Sequence, residues 1–151
     1  MRISAKADYA VRAAVELASA GEDPVKGERL AEAQGIPLQF LEHILLELKH
    51  ARLVRARRGA RGGYWLARPP EEITLANVIR AVEGPLANIQ DQAPEATEYA
   101  GNAKELTEVW IAVRASLRRV LERVTIADLR DGRIPEHVRE MTGDEGAWVT
   151  R

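Results

Sequence analysis

Cysteine is absent from this 151-residue chain. Without thiols the protein cannot form disulfides, use a thiolate nucleophile, sense redox state through cysteine or hold an iron–sulfur cluster by cysteine ligands. Long apolar runs are also missing, because no stretch approaches the roughly 20 residues that cross a bilayer. The first residues lack the apolar region of a signal peptide. We therefore expect a cytoplasmic protein with no membrane contact.

Patterns that carry catalysis or bind metal are also missing. The chain has three histidines, and none belongs to a Ser/His/Asp arrangement or to a His/carboxylate set at metal-ligand spacing. No glycine-rich phosphate loop follows a predicted strand. We therefore expect no enzyme activity, no metal site and no cofactor.

Basic residues are concentrated in one short segment of a chain whose formal net charge is only −1. Residues 1–68 hold 12 lysines and arginines against 8 acids, and residues 69–151 hold 10 against 15. A local positive field attracts phosphate whatever the net charge is, although a solvated charged face is the alternative. Residues 49–68 contain no acid and seven basic side chains: Lys49, Arg52, Arg55, Arg57, Arg58, Arg61 and Arg68.

The first 84 residues have the order of elements of a winged helix-turn-helix. An Ala-rich helix is predicted over residues 5–20 and a shorter one over 26–35, and a Gly-Ile-Pro turn leads into a third helix over 37–52. Two short apolar-alternating segments around a glycine-rich turn then predict a two-stranded hairpin, the wing. A fourth helix, which Thr74 can cap, ends at Gly84.

The third helix has two distinct faces. An apolar stripe within about 80° of arc predicts the buried side, and it consists of Leu38, Leu41, Leu45 and Leu48. The opposite side carries Gln39 and His43, which could hydrogen-bond to adenine and guanine in a major groove. Phe40 either contacts thymine methyl groups or packs, and Glu42 is either a structural acid or an acceptor for cytosine. Simple exposure to solvent is the alternative for this face.

The wing is predicted to contact the DNA backbone and the minor groove. Arg58 or Arg61 at its tip could enter a narrow A·T-rich groove. Lys49, Arg55 and Arg57 are predicted to hold phosphates. Three glycines allow the close backbone approach that a hairpin tip demands: Gly59, Gly62 and Gly63.

The longest predicted helix runs from about Ala103 to Val124. Its apolar residues recur at spacings of three and four, and we predict that this stripe forms a dimer interface, although it could also pack on its own domain. The stripe consists of Leu106, Val109, Trp110, Val113, Leu117, Val120, Leu121 and Val124. The predicted organisation is a DNA-binding domain over residues 1–84, a linker over 85–102, and a dimerisation helix with a C-terminal tail over 103–151.

Four segments together resemble the Rrf family of bacterial winged-helix transcriptional regulators: "MRISAKADYAVRAAVELA", "LAEAQGIPLQFLEHILLELKHARLV", "RRGARGGYWLARPPEEITLANVIRAVEGPL" and "VTIADL". The resemblance implies a dimer that binds a palindromic operator in double-stranded DNA, with Arg58 in the minor groove. The family's Leu-Glu-Gln pattern appears here as Leu41-Glu42-His43, which makes the operator sequence uncertain.

The segment between residues 85 and 110 departs from the family pattern. Cluster-binding members place three cysteines there, whereas this chain has Asp91, Glu98 or Tyr99, and Ala103 or Lys104 near those places. The resemblance therefore implies a cysteine-free member without an iron–sulfur cluster. We expect a homodimeric repressor controlled by a small molecule or a partner protein. The alternative is a protein-interaction module in which DNA binding is secondary.

Overall fold

The computed structural model describes residues 2–150, which form a mainly helical fold with one two-stranded sheet. The strands are β1 (Val54–Arg57) and β2 (Gly63–Leu66). The helices are α1 (Ala5–Ala20), α2 (Gly27–Gln34), α3 (Leu38–His50), α4 (Leu75–Glu83), α5 (Leu106–Leu121), α6 (Ile126–Arg130) and α7 (Glu136–Thr142). This order confirms the predicted winged helix-turn-helix.

Local sequence signals account for where the first three helices begin and end. Ser4 caps α1, since its Oγ accepts a hydrogen bond from the Ala7 N–H at 3.0 Å. Gly35 ends α2 in the left-handed conformation, with φ of 62°. Pro37 directly precedes α3. Together these signals form the tight turn that sets α3 against α1 and α2.

The core lies between α1, α3 and α4. Leu41, Leu45 and Leu48 of the predicted stripe are completely buried, as is Ile44, while Leu38 is half-buried. These side chains pack against the small alanines of α1, which let the helix backbones approach closely. The buried face of α3 leaves its opposite face free.

The wing extends from this core as an antiparallel pair in which Arg55 opposes Trp65 and Ala56 opposes Tyr64. Val25 adds a bridge, because its N–H donates to the Tyr64 carbonyl at 2.9 Å and its carbonyl accepts from the Tyr64 N–H at 2.8 Å. The wing is therefore fixed to the segment between α1 and α2.

The long helix α5 is shorter than predicted, and Val124 does not belong to its apolar stripe. The helix ends at Leu121, and Val124 is 3% exposed. The carbonyl of Val124 accepts a hydrogen bond from the Leu75 N–H at 3.0 Å. The assignment of Val124 to a dimer interface is therefore wrong, since the chain turns back onto α4 at this point.

Residues after α5 return to the N-terminal unit. Thr125 bridges Thr74, and Ile126 is completely buried in the main core. The proposed division at residue 103 stays a prediction, but α6 packs with residues 1–84. Among residues 2–150, no helix is both long and apolar enough to cross a membrane.

Candidate DNA interface

The exposed face of α3 presents the polar residues that the sequence singled out. Gln39, Glu42 and His43 are all exposed, and Leu46 beside them is 48% exposed. The buried leucines on the other side fix the rotation of the helix. We refer to Gln39, Glu42, His43 and Leu46 as the reading face.

Phe40, at the start of α3, packs rather than standing free. Its ring lies 5.6 Å from that of Tyr9 in an edge-to-face arrangement, and the residue keeps 40% exposure. The Arg12 guanidinium lies 5.2 Å from the centre of the Tyr9 ring, and its Nε donates to Gln34 Oε1 at 3.0 Å. These contacts join α1, α2 and the N-terminus of α3. Sequence reasoning missed Tyr9 and Arg12, because their spacing within α1 is that of any helical pair.

The seven basic residues of 49–68 form one exposed surface without acidic partners. Each of them is exposed, and none appears in an ion pair within residues 2–150. Other arginines of the chain do pair, such as Arg80 with Glu122 and Arg114 with Glu95. What distinguishes this surface from the remaining charged surface is that residues 49–68 carry seven cations and no acid.

The tip of the wing is built tightly. A Cβ at Gly62 would collide with the Arg57 carbonyl oxygen. A Cβ at Gly63, which has φ of +146°, would lie 2.7 Å from the Val25 backbone. Both glycines are buried, whereas Gly59 is exposed. At Gly62 and Gly63 the absence of a side chain is therefore required by the packing of the wing itself, and the close approach to DNA stays a prediction.

Two hydrogen bonds hold the tip in place. Lys26 Nζ donates to the Gly59 carbonyl at 2.5 Å, and an Arg57 guanidinium nitrogen donates to the Arg61 carbonyl at 3.1 Å. Arg58 and Arg61 keep their guanidinium groups free of ion pairs within the described chain. Sequence reasoning missed Lys26, which gave no local signal because it lies 33 residues from Gly59.

A hollow separates the reading face from the wing. Its walls carry Lys26 at the start of α2, Glu42 and Leu46 of α3, and Arg57 and Arg58 of the wing. The helix face and the tip thus border one concave surface, with cations along the wing side. The arrangement can accept a polyanionic backbone between two points of contact.

The segment between α4 and α5 is held by side-chain contacts with α5. Trp110 Nε1 donates to the Tyr99 hydroxyl at 3.1 Å, and Arg114 forms an ion pair with Glu95 at 2.6 Å. A backbone hydrogen bond and the Arg114 guanidinium hold the pKa of Glu95 below its ordinary value of 4.5. Residues 2–150 contain no group of three or more His, Cys, Asp or Glu that could hold a metal ion.

Part of the predicted apolar stripe of α5 lies against α4, and part of it is exposed to solvent. Trp110, Val113, Leu117 and Leu121 border a hollow that Ile79 of α4 also lines, whereas Val109 is 51% exposed. Leu106 and Val120 are half-buried, and no residue of α5 is buried. The helix therefore packs partly on its own domain and leaves one apolar edge uncovered.

A helix-turn-helix with a polar exposed helix face, followed by a basic hairpin, defines the winged-helix class of transcriptional regulators. The Rrf2 family model, described as an iron-dependent transcriptional regulator, matches residues 3–132. The chain belongs to the Rrf2 family, which confirms the resemblance seen in the sequence.

Known relatives agree with this assignment. A Mycobacterium tuberculosis protein named as an HTH-type transcriptional regulator is 52% identical over 145 residues, which are 95% of this chain and 90% of that protein. The transcriptional regulator CymR of Bacillus subtilis is 35% identical over 85% of this chain and 89% of its own. These proteins are transcriptional regulators and not enzymes, as the sequence predicted for this chain.

Solved structures show the same fold. The structure of CymR, the global cysteine regulator of B. subtilis, matches with a TM-score of 0.73 and 33% identity, covering 87% of this chain and 97% of that one. The structure of IscR from T. potens matches with a TM-score of 0.69 and 31% identity, covering 100% and 93%. The chain is thus similar to both regulators over nearly all of its length.

Proposed function

We propose that this protein is a homodimeric repressor that binds a palindromic operator in double-stranded DNA without an iron–sulfur cluster. The observation that carries the proposal is the surface of seven exposed basic residues, none with an acidic partner in the described chain. The net charge of the protein is only −1, so this surface is a local concentration of positive charge. Such a surface favours binding of a polyanion such as DNA.

The reading face and the wing divide the work of recognition. Gln39 and His43 lie in the first two turns of α3, where side chains reach the floor of a major groove. Arg58 or Arg61 enters the neighbouring minor groove, and Lys49, Arg55 and Arg57 bind phosphates. Glu42 accepts from a base or keeps the helix in place, and Phe40 supports the helix through Tyr9.

The donor atoms of this chain do not fit an iron–sulfur cluster, although the family description names iron. Such clusters are held by cysteine thiolates, and the sequence contains no cysteine. The contacts of Glu95 with Arg114 and of Tyr99 with Trp110 occupy the corresponding segment instead. We infer that protein contacts organise this loop where other members use a metal group.

Control by a small molecule or a partner protein would act through the segment 85–102 and α5. This segment and α5 border the same hollow as α1 and α4, so a ligand there would contact both the DNA-binding unit and the helix proposed for dimerisation. Such a ligand changes operator affinity only if it binds the two dimer geometries unequally.

The test is selection of duplexes from a random library by the purified protein, followed by fluorescence anisotropy and sedimentation of the complex. We expect an inverted repeat to be enriched and to bind two chains. Recovery of no preferred sequence, or binding of one chain to one half-site only, would contradict the proposal.

The absence of a cluster has its own measurement. After anaerobic treatment with iron and sulfide, the protein should show no absorbance band between about 400 and 450 nm, and its operator affinity should not change. A band that persists after gel filtration would show that other ligands hold a cluster.

A further inference from the structure

Of the wing's basic surface, the contacts proposed above use Arg55 but leave Arg52 and Arg68 without a role. Side chains alternate between the two faces of a strand, and Tyr64 lines the hollow beside α2 and α3. Its neighbour Trp65, which pairs with Arg55 across the sheet, lines a second hollow on the other side of the wing. We call the surface formed by Arg52, Arg55, Trp65 and Arg68 the outer wing face.

The outer wing face is concave and positively charged. A hollow of about 570 Å³ has only Lys49, Arg52, Arg55 and Arg68 as charged residues in its lining. Trp65, which is half-buried, lies in the same lining. An adjoining hollow, which Arg55, Trp65 and Arg68 also line, includes Glu22 and Arg130. The hollow of the outer wing face itself therefore holds four cations and no acid.

Arg52 stands where the backbone favours glycine. It is the residue after the C-cap of α3, with φ of +59°. The Leu53 N–H donates to the Leu48 carbonyl at 2.9 Å, as in a Schellman motif, whose left-handed position is usually glycine. A side chain there costs about 1 kcal/mol, and Arg52 makes no ion pair within the described chain. A strained, exposed arginine indicates a role for its charge.

The outer wing face is continuous with the candidate DNA interface. Lys49 and Ala56 line both this hollow and the one beside the reading face. Arg55 lies two residues behind Arg57, the last paired residue before the tip, which corresponds to about 7 Å along the strand. A DNA strand carries one charge per nucleotide, so a backbone running along the wing can bring neighbouring phosphates to Arg55 and Arg57.

We propose that the outer wing face binds the sugar–phosphate backbone of duplex DNA that flanks the operator half-site. This inference rests on the proposed DNA-binding function and extends the contact beyond the bases that α3 and the tip read. Arg52, Arg55 and Arg68 hold phosphates, and Trp65 packs against a sugar. The contact adds affinity without reading sequence.

The experiment compares a selected operator trimmed to its symmetric core with the same core carrying about 6 and 12 additional base pairs on each side. The flanks have two unrelated sequences. For the wild-type protein, we expect roughly tenfold tighter binding to the flanked duplexes, equal for both sequences, with a steeper salt dependence. For R52G/R68A, we expect the affinity for the core to be unchanged and the tenfold increase from the flanks to be lost. The slope of log affinity against log salt concentration should be smaller by about two units.

Three controls keep the result specific. Glycine at position 52 relieves strain, so thermal unfolding of R52G should show no loss of stability. R52K/R68K keeps both charges and should keep the gain from the flanks. R123A/R139A removes two exposed arginines of the C-terminal half and should bind all the duplexes as the wild type does.

The possible results distinguish a failure of the flank contact from a failure of the proposed DNA-binding function. If the wild type binds no duplex specifically, the proposed function fails and this inference with it. Only the flank contact is overturned if the wild type binds the core and the flanked duplexes with equal affinity. The same holds if R52G/R68A still binds the flanked duplexes more tightly than the core.

Discussion

Gly63 shows how a single residue supports the wing. It combines φ of +146° with a space in which a Cβ would lie 2.7 Å from the Val25 backbone. The Val25 backbone and β2 cannot move apart without breaking the bridge between Val25 and Tyr64, in which both hydrogen bonds are shorter than 3 Å. An alanine at this position would therefore separate the wing from its support.

Gly63→Ala should destabilise the protein by about 2–3 kcal/mol, since backbone strain adds to the clash. Gly132→Ala is the control, because Gly132 also has a positive φ, of +65°, but nothing lies within 4 Å of its Cβ position. That variant should lose only about 1 kcal/mol. Urea unfolding followed by circular dichroism measures both, and equal losses would mean that the Val25 contact does not constrain Gly63.

Glu95 gives a prediction about acid stability. Its pKa in the folded protein is lowered below 4.5, first by a backbone hydrogen bond and then by Arg114. A lowered carboxyl pKa adds stability that is present above about pH 4.5 and is lost as pH falls through the folded-state pKa. Glu95→Gln should therefore unfold with a shallower pH dependence below pH 4.5 or so. A slope identical to the wild type in thermal melts at several pH values would contradict this.

Among the elements, the wing depends on partners that are distant in the chain. Its strands and glycines are evident in the sequence, and the structure confirms them at β1 and β2. The bond from Lys26 to Gly59 was not predictable, because no periodic pattern connects residues 33 positions apart. The reading face was predictable because the 3.6-residue repeat of α3 divides apolar from polar side chains.

Lys26→Gln should weaken operator binding about fivefold through the position of the tip. In an Arg58→Ala background the same change should have little further effect on operator affinity. Lys26 is expected to act by positioning the tip, and the position of the tip no longer matters for affinity once the Arg58 side chain is absent. Lys104→Gln, which removes an exposed lysine just before α5, should leave affinity unchanged. Additive losses in the double variant would instead make Lys26 a direct phosphate contact.

On the scale of the whole molecule, α5 divides its apolar residues between its own domain and an uncovered edge. The sequence predicts a single stripe and cannot distinguish these two surroundings, since both use the same spacing. It also cannot show that the chain turns back at Val124, because Thr74 and Thr125 meet only in the folded structure. The wrong assignment of Val124 has this cause.

Val109→Asp should shift the proposed dimer toward monomer, because Val109 is 51% exposed on the uncovered edge and a carboxylate there would have to be desolvated. Ala115→Asp places the same charge on an exposed position about 120° around the helix and should leave association unchanged. Sedimentation equilibrium measures the dissociation constant, for which we expect at least a tenfold increase for Val109→Asp alone. Equal dissociation constants for the two variants would show that the dimer interface lies on another surface.

The proposed function depends on the unpaired arginines of the wing tip, Arg58 and Arg61, to hold DNA. The most direct measurement is the operator affinity of R58A/R61A against that of R123A/R139A, by fluorescence anisotropy at about 0.1 M salt with the selected duplex. We expect at least a tenfold loss of affinity for the wing variant, with a relaxed A·T preference, and no change for the control. Equal affinity for the two variants would contradict it.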